Sequence, residues 1–94
     1  MLLNNVITKE IRQEDGFLYV YELIVREGEM TADFGLPLYS VRVSMTDSDG
    51  NSSQREAKDV FADESRALSF FDKLVRNLAT PIDLSYVVED EFIG

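Results

Sequence analysis

With 94 residues, 45% of them apolar and 11% aromatic, the chain is long enough for one modest hydrophobic core and too apolar for a disordered tail. It has no Cys and no His, which removes disulfides, thiolate metal sites and a Cys nucleophile, along with the side chain best suited to acid–base work near neutral pH. Eighteen acidic residues against nine basic ones give a net charge of −9, a field that disfavours nucleic acid and anionic lipid as partners.

Leu2–Gln13 reads as a first strand, with Leu3, Ile7 and Ile11 on one side of a period-two pattern and Val6 on the other. Glu14-Asp15-Gly16 follows, and Asp-Gly between two β-prone runs is a hairpin signal. Phe17–Glu27 is dominated by β-branched and aromatic residues. Phe17, Tyr19, Tyr21, Leu23 and Val25 share one fully apolar face. The other face holds Leu18, Val20 and Ile24, which is more apolar than a solvated face requires. Gly28–Leu36 reads as a connecting loop, and Leu38–Asp47 alternates as a half-buried strand with Tyr39, Val41, Val43 and Met45 turned inward. The run 47–53, dense in Asp, Ser, Gly and Asn, closes a second hairpin. Gln54–Ala62 is a charged fourth strand suited to an edge, with Ala57, Asp59 and Phe61 alternating against Glu56, Lys58 and Val60.

In Asp63–Leu78 the residues Leu68, Phe71, Leu74, Val75 and Leu78 recur at helical spacing, with Asp63 as N-cap. Thr80, Pro81 and Asp83 then open a second helix over Ile82–Phe92, whose apolar side is Leu84, Val87, Val88 and Phe92. The order ββββαα with short connections predicts an α+β fold. A four-stranded antiparallel meander carries both C-terminal helices on one face, and residues 1–94 form a single domain.

The stretch Asp47-x-Asp49-x-Asn51 resembles the opening of an EF-hand calcium loop. Ser52 then stands where Gly is required and Lys58 where a bidentate Glu is required, so a turn is the better account. Asp59, Asp63 and Glu64 form one acidic group, and Glu89, Asp90 and Glu91 another. The last three are consecutive helical residues and fan out, so no metal and no cofactor is expected at either, and a carboxylate-based metal-binding protein is the last-ranked alternative reading. No Ser or Thr has a plausible base partner, and the chain is read as a non-enzyme. Most aromatics fall at core spacing; Phe34, in the loop, and Phe70, off the helix stripe, are the exposed candidates.

Two surfaces are candidates for partners. Leu18, Val20 and Ile24 have no internal cover in a sheet shielded on one side, which points to a protein partner or to a second copy in a homodimer. Glu89, Asp90 and Glu91 lie in the more acidic half of the chain, where residues 47–94 carry 11 acidic and 5 basic side chains, and they suit a basic partner. There is no apolar run long enough to span a membrane, and MLLNNVITKEIRQ lacks the basic and apolar regions of a signal peptide. A cytoplasmic location is therefore expected.

From Leu38 onward the chain resembles a family of small uncharacterised proteins, a domain of unknown function, from clostridial-type Gram-positive bacteria. The resemblance rests on Tyr39-Ser40-Val41, on Lys58-Asp59-Val60, and on Leu78-Ala79-Thr80-Pro81-Ile82-Asp83-Leu84 with Val87-Val88-Glu89-Asp90. Ser40 replaces a usual Gly and Asp83 a usual His. The resemblance implies the strand–strand–helix–helix order and supplies no activity.

Overall fold

The computed structural model describes residues 3–27 and 37–93. Strands β1 (Leu3–Glu14), β2 (Phe17–Glu27), β3 (Leu38–Thr46) and β4 (Ser52–Phe61) precede helices α1 (Glu64–Arg76) and α2 (Pro81–Ile93). The strands pair antiparallel in chain order, with β1 and β4 at the two edges. The predicted architecture is the observed one. The β2–β3 connection, and Phe34 with it, lies outside the described residues.

Asp15 and Gly16 both take positive φ, 51° and 82°, and Glu14 pairs with Phe17 across them. That is a type I′ turn, whose twist matches the strands it joins. A Cβ at Gly16 would meet no neighbouring atom, so a substitution there acts through backbone strain alone. Gly16→Ala is expected to cost about 1–2 kcal/mol, read as a lower urea midpoint with an unchanged m-value.

The face of the sheet that carries the helices follows from β2. Tyr21, Leu23 and Val25 join Tyr39, Val41 and Val43 from β3 and Phe61 from β4 in one buried cluster. α1 covers it with Ala67, Phe70, Phe71, Leu74 and Val75, and α2 adds Leu84 with Val87 and Val88. Among the described residues no β1 side chain belongs to this core.

The helix stripe is rotated from the predicted one. Phe70, read from the sequence as an exposed aromatic, is 2% accessible and packs on Phe61 with ring centroids 5.1 Å apart. Leu68, read as a stripe member, is 39% accessible. Ala67, Phe70, Phe71 and Leu74 also satisfy helical i, i+3, i+4 spacing, and the small Ala67 lets the backbone approach the sheet.

Both predicted helix starts are formed. Asp63 accepts the Ser65 N–H at 3.3 Å. Thr80 and Asp83 cap each other: the Asp83 N–H donates to Thr80 Oγ1 at 3.2 Å and the Thr80 N–H to Asp83 Oδ2 at 3.1 Å. α1 ends two residues early for a local reason. Leu78 takes φ 48°, its N–H donates to Val75 O, and the Ala79 N–H donates to Leu74 O, which is the Schellman arrangement. The chain then turns directly into α2, and Tyr21 Oη donates to Ala79 O at 2.9 Å. One buried hydrogen bond thus ties the helix junction to the middle of the sheet.

Candidate functional site

The helix-free face of the sheet is built by the opposite parity of the same strands. Register places Val6 opposite Ile24, Ile11 opposite Val20 and Gln13 opposite Leu18. The β1–β2 pairing is irregular between Val6 and Thr8, with Ile7 as the extra residue. The irregularity breaks the predicted period: Ile11 moves onto the same face as Val6, while Thr8, Glu10, Arg12 and Glu14 take the helix side. An apolar corner results. Ile11 and Leu18 are 54% and 40% accessible, with Val20 half-buried beside them; Val6, 50% accessible, lies on the same face but across the Lys9–Glu22 pair.

Of the three outer-face residues predicted on β2, Leu18 and Val20 are therefore reachable and Ile24 is not. Ile24 is 9% accessible. It lies opposite Val6 and Ser40 and lines a small cleft with Arg26, Arg42, Glu56 and Lys58, so long neighbouring side chains crowd it.

The corner has a charged border. Glu22, Arg42 and Glu56 stand in one register row across β2, β3 and β4, with Arg42 Nη1 3.3 Å from Glu22 Oε1 and Arg42 Nη2 3.1 Å from Glu56 Oε1. Lys9 is opposite Glu22 at the β1 end of that row. Beyond it, Arg26 pairs with Asp59, whose N–H donates to Ser40 Oγ at 2.8 Å. Asp59 was expected to alternate with Ala57 and Phe61. It instead takes φ 53° at an irregularity in the β3–β4 pairing and is carried to the outer face, leaving Val60 to pack on the core.

The acidic groups do not converge. Asp47 spends its carboxylate on its own turn, accepting the Asp49 and Asn51 N–H groups at 2.9 Å each and the Asn51 side-chain amide at 3.2 Å. Those bonds, the Asn51 N–H first, hold its carboxyl below the usual range. Asp59 is bound to Arg26 and Asp63 caps α1. At the end of α2, Glu91 pairs with Arg66 at 3.5 Å, and that guanidinium lies 5.6 Å from the Phe61 ring and 5.1 Å from the Phe92 ring. Glu89 and Asp90 remain exposed. Among the described residues no three acidic side chains are grouped to hold a metal ion, and no helix is long and apolar enough to cross a membrane.

One feature escaped the sequence reading. A cleft of about 510 Å³ runs between β4 and α2, lined by Arg55, Ala57, Val60, Ile82, Ser85 and Tyr86 among others. Ile82 and Tyr86 are largely exposed on its rim. Their i, i+4 spacing off the Leu84 stripe was the available signal.

The model of a family of unknown function, DUF6514, matches residues 3–93. The chain belongs to that family. The resemblance seen from Leu38 onward thus extends through β1 and β2, and the DUF6514 match includes the strands that form the apolar corner. No curated protein and no solved structure matches the chain.

Proposed function

We propose that the chain is a protein–protein interaction module, not an enzyme, whose docking surface is the corner formed by Ile11, Leu18 and Val20. One observation carries the reading: exposed branched aliphatic side chains from two adjacent strands share a sheet face that the helices leave open. Absence of His and Cys from the whole sequence also weighs against the commonest catalytic chemistries. A net charge of −9 in a chain expected in the cytoplasm favours partners that are not themselves strongly acidic.

The test is the substitution Leu18→Glu in the full chain. Because the Leu18 side chain is exposed, the melting temperature is expected to move by only a few degrees. Association, whether with itself by sedimentation velocity or with proteins captured from the native host, is expected to weaken at least about tenfold. Recovery of the same complexes at the same affinity would overturn the reading.

A second reading uses Glu89 and Asp90, which stay exposed while Glu91 is held by Arg66. A basic protein surface docked there would dissociate steeply as salt rises.

A further inference from the structure

We propose that the partner is a second copy of this chain, joined edge to edge through residues 8–14 of β1 about a two-fold axis centred on Ile11. The inference rests on the interaction reading and names that module's partner.

Among the described residues β1 ends the sheet order, so the backbone groups on its far side have no described strand beside them. Which groups those are follows from the hairpin. Glu14 and Phe17 close a two-residue turn and form a hydrogen-bonded pair. Counting back in twos, Arg12, Glu10 and Thr8 turn their N–H and C=O groups toward β2. Gln13, Ile11 and Lys9 turn theirs outward. The regular stretch is bounded by the irregularity at Ile7 on one side and by the turn at Asp15 on the other. Its midpoint is Ile11.

A two-fold through Ile11 uses all of these features at once. Ile11 meets Ile11 of the second copy as a hydrogen-bonded pair, and Lys9 meets Gln13, so the outward donors and acceptors are satisfied. On the helix side, Glu10 of each copy comes opposite Arg12 of the other. These two residues already pair within the strand at 2.8 Å, so the dimer closes a ring of four alternating charges. The neighbouring registers fail on charge. Centring on Lys9, Glu10 or Arg12 sets a residue against its own like charge.

The helical layers leave room for this arrangement. α1 and α2 pack on residues of β2, β3 and β4, and no described β1 residue belongs to that core. The two β2 strands would stand three strand spacings apart, about 14 Å, whereas packed helices need only about 8–10 Å. On the opposite face, Ile11 and Val20 of both copies would line up in one apolar row.

Charge exchange in the full chain tests the register. The wild type is expected to be a dimer by sedimentation velocity. Glu10→Arg alone and Arg12→Glu alone are each expected to raise the dimer dissociation constant at least about tenfold, because each sets like charges opposite one another twice. The double variant is expected to recover the dimer, and an equimolar mixture of the two single variants to form a heterodimer. Ile11→Pro removes an N–H that the β1–β2 ladder does not use and is expected to abolish the dimer while the circular dichroism spectrum is retained.

A wild type that stays monomeric overturns the proposal. So does a dimer that tolerates both single charge reversals. If such a dimer is instead lost in Leu18→Glu, the copies meet face to face, and the interaction reading stands without the edge. Dimers that follow the charge rule, combined with complexes indifferent to Leu18→Glu, would remove the corner reading and keep the edge.

Discussion

Phe70→Ala is expected to destabilise the domain by about 3–5 kcal/mol, which is a large part of the roughly 5–15 kcal/mol that holds a domain of this size folded. The ring is among the largest fully buried side chains and touches Phe61, the residue at which β4 hands over to α1. Its removal opens a cavity between helix and sheet that Ala67, one turn away and already small, cannot fill. Leu68→Ala, two residues earlier on the same helix, is expected to cost under about 1 kcal/mol. Thermal melts of the two variants make the comparison. Phe70→Ala should lower the midpoint by more than about 10 °C, and near-equal midpoints would mean that α1 faces the sheet with its other stripe.

Tyr21→Phe is expected to cost about 1–2 kcal/mol at neutral pH, because it leaves the buried Ala79 carbonyl without its donor. The size of that loss should depend on pH. Burial, helped by Tyr19 beside it, pushes the Tyr21 phenol from an ordinary 10.0 up to about 12. Below pH 10 the unfolded and folded chains both keep the proton, and the full contribution is present. Between 10 and 12 the unfolded chain ionises while the fold must hold the phenol neutral, so stability falls as pH rises through that window. Phe has no proton to lose. Urea melts across the window should show the wild type and Tyr21→Phe converging in stability, and a constant gap would show that Tyr21 is not the group that titrates.

Much of the fold was legible because local signals agreed with one another. In β2, alternation, β-branching and the Asp-Gly turn specify the same strand, and its start, end and helix-side face are as read. The Thr80–Asp83 capping box marked the start of α2 in the same way.

The misread positions share a cause: each depends on a backbone irregularity that carries no distinctive residue. Ile7 is inserted into β1 without a Gly to announce it, and this moves Ile11 to the other face. Asp59 and Leu78 adopt positive φ, where Gly is the usual signal, so β4 was read as alternating throughout and α1 as longer by two residues. Phe70 was lost because two overlapping helical stripes fit one sequence, and only packing against the sheet chooses between them. The candidate surface shows the same division. Leu18 and Val20 follow from the parity of one strand, whereas the addition of Ile11 and the withdrawal of Ile24 depend on neighbours in space.

The separation of β1 from the helical core has an energetic corollary. A strand that shares backbone hydrogen bonds with one neighbour and contributes no described side chain to the central cluster is the least costly element to detach. Its opening free energy sits below that of the molecule as a whole, so β1 frays on its own while β2 stays in the core. Whatever grips that strand therefore does two things at once: it gains a binding surface and it closes the weakest seam in the fold, so that occupancy and rigidity rise together by linkage.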